Sequence, residues 1–291
     1  MKLVTFTEHH RRRIGAVVGD SVVDFATTLP HLPQTMIAFL RAGPAAMDEA
    51  RAAVAAGGHR LALAKVRLEA PVPRPGKVLA IGLNYADHVR EGGRAMPEHQ
   101  IWFSKQATCI VGPADAIKIP KVSDKIDYEA ELCVVVGRRC RHVPRARAHE
   151  VIAGYMCGND VSVRDWQQRS PTMMMGKGFD THGPTGPWIV TPDEAGDVSR
   201  LRVRCLVNGQ VLQDASTAEM IFDIPAQIEH LTAAFTLEPG DVIFTGTPAG
   251  VGIYRKPPVL LKAGDRVRVE IEGIGALENL CEAEDGATVI A

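Results

Sequence analysis

Short runs of Val, Ile and Leu, broken by Gly, Pro and Asp, recur along most of this chain. Near the start, "KLVTF", "IGAVVG" and "SVVDF" have strand length, and the "GD" between the last two has turn chemistry. "QTMIAFLRA" and "PAAMDEARAAVAA" follow, with apolar residues at helical spacing among good helix formers, and Gly57-Gly58 closes the second. The Pro-rich "APVPRPGK" at 70–77 reads as a linker. Strands then return: "KVLAIGLNY", "ELCVVVG", "PWIVT", "LRVRCLVNG", "DVIFTGTP" and "RVRVEIEGIG", all rich in Val and Ile. Only two helices are predicted among them, one starting near Asp160 and one over about 225–235. That is not a repeating βαβ pattern. It predicts an α+β protein that is mostly β: a small N-terminal α/β domain over 1–72 and a β-rich domain over 73–291.

Polar residues at unexpected places mark the candidate chemistry. "KIDYEAELCVVVG", 125–137, has the form of a buried strand, yet Glu129 and Glu131 stand at its entrance. Residues two apart on a strand point to one face, so the two carboxylates lie side by side. In a half-buried place, one must protonate or a cation must neutralise the pair. All-oxygen ligation suits a hard divalent ion such as Mg²⁺, Mn²⁺ or Ca²⁺; an exposed strand face with surface salt bridges is the plainer alternative. Asp160 is placed as a helix N-cap, with Arg164 and Gln167 on one helical stripe after it. Lys177 lies between two glycines in what reads as a loop, placed to bind a carboxylate or stabilise an enolate. His88 and Glu91, at i and i+3, would touch on a helical turn and form a usable base pair near neutral pH. Thr245, Thr247 and the backbone of a Gly-rich turn could hold an anion.

Composition narrows the class. The 291 residues are 46% hydrophobic and 23% charged, with a formal net charge of -1, so no global basic field points to nucleic acid. The basic clusters at 11–13 and 137–147 read as solvated faces. No run approaches the roughly 18–20 apolar residues of a membrane span, and the N-terminal segment has no apolar core of signal-peptide length. Six cysteines without a C-x-x-C pair read as buried thiols in a reducing cytoplasm.

Taken in order, G-L-N-Y-x-D-H-x-x-E at 82–91, F-S-K at 103–105, D-Y-E-x-E-L at 127–132, N-D-V-S-x-R-D-x-Q at 159–167, G-K-x-F-D-T at 176–181, G-P at 186–187 and L-x-P-G-D-x-I-x-T-G-T-P-x-G-V-G at 237–252 closely resemble the fumarylacetoacetate hydrolase family, near its acylpyruvase-like members. The resemblance covers the chain from about 77 onward. It implies a domain of stacked, rolled β-sheets, usually dimeric, with one Mg²⁺ or Mn²⁺ held by Glu129, Glu131 and Asp160. It implies a substrate pocket of Lys105, Arg164, Gln167, Lys177 and Thr247, and His88 with Glu91 on a lid. The implied substrates are 2-oxo and 2,4-dioxo acids. The leading expectation is hydrolysis of a C–C bond in an acylpyruvate, releasing an enolate held at the ion. The alternative is oxaloacetate tautomerisation or decarboxylation, or isomerisation of a hydroxydienedioate. Gly178 stands where many relatives carry Ser or Thr, and the link from Gln167 to Lys177, which the resemblance places beside the pocket, is short.

Overall fold

The computed structural model describes residues 1–290. Its organising element is the strand Ala130–Val136, which pairs antiparallel with Ile152–Asn159 on one side and with Val242–Phe244 on the other. All seven residues are buried, because the strand is central in its sheet and covered on both faces, which explains its nearly continuous apolar run. Alternate side chains divide between two cores. Leu132, Val134 and Val136 pack with Val203, Cys205, Val267 and Val269. Cys133 and Val135 pack with Phe25, Phe39, Met156 and Phe244.

The large mixed sheet runs in the order Arg60–Ala62, Ser21–Asp24, Arg11–Val18, Lys2–Glu8, Gly183–Val190, Ile152–Asn159, Ala130–Val136, Val242–Phe244, Val78–Gly82, Ile101–Lys105. Along this path only Val242–Phe244 and Val78–Gly82 pair in parallel. A five-stranded sheet, built from Gln210–Ser216, Arg202–Val207, Arg266–Ile271, Gly275–Ala283 and Ile117–Ile119, supplies the cover over the Leu132 face. The predicted helices occur as Met36–Arg41, Pro44–Ala55 and Ile224–Ala234, the last capped by the Asp223 carboxylate, which accepts from the Ala226 N–H.

The N-terminal strands join the sheet of the later residues through Lys2↔Val190 and Leu3↔Ile189. The Pro-rich segment at 70–77 is packed: Ala70 and Val72 are buried, and the Thr5 hydroxyl donates to the Pro71 carbonyl at 2.7 Å. Asp160 is not a helix N-cap. The chain after it stays extended, because Ser162–Val163 pairs with Ile126–Asp127, and the helix is the single turn Arg164–Gln167. Basic residues of 137–147 form surface ion pairs, Arg139 with Glu238, Arg145 with Asp223 and Arg147 with Glu150. All six cysteines are free, five of them buried. Among the described residues no helix is long and apolar enough to cross a membrane.

One buried histidine gives stability a pH dependence. His182 stacks on Phe179, shares a 2.9 Å hydrogen bond with the Lys118 carbonyl through Nε2, and has no partner for Nδ1. Burial, with a smaller push from Lys105, lowers its pKa to about 4, whereas the bond to the Lys118 carbonyl works the other way. Above pH 6.5 the ring is neutral in both folded and unfolded chains and contributes no pH dependence. As pH falls from 6.5 towards 4, only the unfolded chain takes up the proton, so stability is lost, by about 2 kcal/mol at pH 5. Urea unfolding of wild type and His182→Gln at pH 7.5 and pH 5 checks this. The variant should lose less stability between the two values, and parallel losses would remove His182 from the account.

Candidate active site

Three buried carboxylates converge where the central strands end. Glu129 and Glu131 come from the entrance of Ala130–Val136, and Asp160 follows Ile152–Asn159, the strand paired with it. A backbone bond from the Asp160 N–H to the Glu129 carbonyl, 2.9 Å, holds the two strand ends together. One oxygen of each carboxylate lies within 4.8 Å of the others. The i, i+2 geometry expected from the sequence brings Glu129 and Glu131 together, and the burial of both excludes the surface salt-bridge alternative.

Cations surround the cluster. Lys177 Nζ donates to Glu129 Oε2 at 2.6 Å and to Asp160 Oδ2 at 2.8 Å. Lys105 Nζ donates to Asp160 Oδ1 at 2.6 Å and to the Lys177 carbonyl. Arg164 contacts Glu129 Oε1 at 2.7 Å, Asp127 Oδ2 at 2.9 Å and Gln167 Oε1 at 3.1 Å. Asp127, Glu129 and Asp160 therefore balance Lys105, Arg164 and Lys177 charge for charge. Glu131 is left over. Its polar contact is the Gly246 N–H, which donates to Oε2 at 2.7 Å, and no cationic side chain pairs with it among the described residues.

The environment drives the two glutamates apart, as expected for adjacent acids in low dielectric. Burial pushes both up. For Glu129 the neighbouring Lys177 and Arg164 outweigh burial and hold its pKa down to about 2. For Glu131 burial, Asp160 and Glu129 act together and raise it well above the usual carboxylate range. A buried set of carboxylate oxygens, one carboxyl of which no cationic side chain among the described residues pairs with, is a fitting seat for a hard divalent cation.

Glu129 and Glu131 of the cluster line a cavity of about 580 Å³, within the usual size of a small-molecule site. His88, Arg164, Gln167, Lys177 and Thr247 line it with Glu129 and Glu131. His88 and Glu91 lie on the helix Ala86–Glu91, and His88 Nδ1 meets Glu91 Oε1 at 2.8 Å. The other oxygen of Glu91 accepts from the Gly250 N–H at 2.8 Å, tying the helix to the Gly-rich turn. Tyr254 packs beside the His88 ring, 6.2 Å between centroids.

Some positions differ from the sequence reading. Lys177 is not a loop lysine; it ends the one-turn helix Met174–Lys177 and is 2% exposed. Gly176 permits this, because a Cβ there would meet the Gln167 backbone at 2.2 Å, so only glycine lets the two turns nest. Lys105 sits behind Asp160 and does not line the cavity. Thr245 donates to the Leu132 carbonyl and serves the strand, whereas Thr247 lines the cavity and accepts from Gln213 at 2.8 Å.

Sequence reasoning gave no role to Asp127, Gln213 or Asn84. Asp127 takes Arg164 together with the N–H groups of Gly252 and Ile253, at 2.7 and 3.0 Å. Gln213 joins the Ala130 N–H to Thr247. Asn84 bonds Phe222 and the Thr245 carbonyl at the root of the His88 helix. Asp127 and Asn84 stand inside quoted motifs, and that placement was the one signal available.

Residues 77–281 match the family model of the fumarylacetoacetate (FAA) hydrolase C-terminal domain. With fold and site in agreement, the chain belongs to the fumarylacetoacetate hydrolase family, as its motifs indicated. It is 42% identical over 284 residues to a rat (Rattus norvegicus) protein named mitochondrial oxaloacetate tautomerase Fahd2a, covering 96% of this chain and 91% of that one. It superimposes on the 5-carboxymethyl-2-hydroxymuconate delta-isomerase of Mycobacterium smegmatis with a TM-score of 0.80 at 37% identity, covering 98% and 100% of the two chains. Maleylpyruvate hydrolase from Sphingobium sp. SYK-6, solved with manganese(II) and pyruvate, gives 0.81 at 32% identity with the same coverage. Tautomerase, isomerase and hydrolase relatives share enolate chemistry. C–C hydrolysis, the leading expectation from the sequence, is the less well supported of the two readings, and the enol–keto alternative is matched better.

Proposed function

We propose that this protein interconverts the enol and keto forms of an oxaloacetate-type 2-oxo acid, with Mg²⁺ or Mn²⁺ held by Glu129, Glu131 and Asp160. The observation that carries the reading is a hydrogen-bonded His88–Glu91 pair over a buried three-carboxylate cluster, in a chain similar along 96% of its length to an oxaloacetate tautomerase. When bound, the ion supplies Lewis-acid polarisation of the 2-oxo group.

The protein's own residues do the rest. An ionised Glu91 accepts from His88 Nδ1–H, which leaves Nε2 as the base. That nitrogen takes a proton from C3 of the keto acid, and the C–H electron pair forms the C2–C3 double bond. The resulting imidazolium returns the proton to the C2 oxygen, so atoms and charge balance without water. Arg164 has a buried Nη2 without a protein partner, suited to the substrate carboxylate. Lys177 and the Gln167 amide stabilise charge developing on the C2 oxygen.

The test is to supply oxaloacetate as its enol with Mg²⁺ and follow loss of the enol, alongside acylpyruvates assayed for pyruvate and free acid. Accelerated enol loss with no acid release is the expected result. Cleavage of an acylpyruvate with no effect on the enol would return the assignment to hydrolysis.

A further inference from the structure

The helix that carries His88 ends in a way that presents one more residue to the cavity. Gly93 has φ +62°, its N–H donates to the Arg90 carbonyl at 3.0 Å, and the Arg94 N–H donates to the Val89 carbonyl at 3.1 Å. These are the paired bonds of a Schellman cap, which reverses the chain and satisfies the last carbonyls of the helix. A left-handed φ is where glycine is favoured, so "EGGR" encodes the reversal. The reversal puts Arg94 on the wall of the same cavity that His88, Glu129 and Lys177 line.

Arg94 differs from the other cations there. Lys177 is held by Glu129 and Asp160, and Arg164 by Asp127 and Glu129. The Arg94 guanidinium has no carboxylate or other hydrogen-bond partner among the described residues, and it is an exposed residue on the cavity wall. Much of the remaining wall is apolar, including Ile81, Ile101, Phe103 and Ile253. A 2-oxo acid whose head is bound over the carboxylate cluster would extend its other end along this wall. An unpaired guanidinium at that end selects for a second anionic group and matches a carboxylate in bidentate geometry.

From this placement we infer that Arg94 is a specificity-determining residue that binds the distal carboxylate of a dicarboxylic 2-oxo acid. The inference rests on the proposed function for the head-group site and names the substrate class that site takes.

The experiment compares malate with lactate, stable 2-hydroxy acids that share a head and differ in the distal carboxylate, by calorimetric titration of the Mg²⁺-saturated protein. Wild type should favour malate. Arg94→Gln should weaken malate binding about tenfold to a hundredfold and leave lactate within about twofold. Arg94→Lys should retain part of the preference. Arg90→Gln, on the outer side of the same helix beside Asp87, should leave the preference intact and so exclude a general field effect. Equal weakening of both ligands in Arg94→Gln, or an unchanged malate preference, overturns the inference. Enol turnover is measured in parallel. If wild type favours malate through Arg94 yet does not accelerate enol loss, the proposed activity fails and the binding role stands. If enol loss is accelerated and Arg94→Gln keeps the malate preference, the binding role fails alone.

Discussion

Glu131→Gln should abolish tight Mn²⁺ or Mg²⁺ binding while leaving the metal-free fold as stable as wild type, or more so. Glu131 is the carboxylate that the surrounding cations do not neutralise, and it lies beside Glu129 and Asp160. Gln keeps the size and an oxygen able to accept from the Gly246 N–H. It removes the like-charge repulsion and, with it, a ligand oxygen that carries charge. Glu129→Gln should behave differently. That carboxylate receives both Lys177 and Arg164, so its loss leaves buried cations short of a partner, at a cost of about 3–5 kcal/mol. Both variants should bind Mn²⁺ more than about 100-fold more weakly, since even residues supporting a metal's ligands cost 10–100-fold when removed. Titration calorimetry with Mn²⁺ and thermal unfolding in chelator read the two quantities separately. Wild-type affinity in Glu131→Gln would remove it from the ligand set. Equal destabilisation by the two variants would overturn the charge balance argued for the cluster.

How much of this was legible beforehand follows from how far apart the interacting groups lie. Short-range geometry carried its own signal: E-x-E on a strand puts Glu129 beside Glu131, and H-x-x-E on a helix puts His88 against Glu91. The apolar run at 132–136 declared a strand buried on both faces. What stayed hidden depends on partners distant along the chain. Nothing local tells that Asp127 gathers Gly252, Ile253 and Arg164, or that Lys2 pairs with Val190 and so extends the main sheet. The helix expected at Asp160 failed because an intervening strand pairing overrides local propensity. Lys177 read as a loop residue because glycines flank it. Its burial depends on the carboxylates it meets and on the nesting of Gly176 against Gln167.

His88→Ala should lower kcat for enol–keto exchange by about 10²–10⁴-fold, the usual worth of a positioned general base, and spare Mn²⁺ affinity. His88 contributes no ligand to the carboxylate cluster, and its partner Glu91 is fixed from the other side by the Gly250 N–H. Removing the imidazole therefore deletes the proton carrier without unpinning the helix. Glu91→Gln should also lower kcat, because an amide has one oxygen for two donors: with that oxygen on the Gly250 N–H, its NH₂ faces His88 Nδ1 and leaves the proton on Nε2, the nitrogen needed as base. A parallel loss of Mn²⁺ binding in His88→Ala would show that the helix and the metal seat form one folding unit. An unchanged kcat would require another base, and Tyr254, packed beside the ring, would be the next residue to replace.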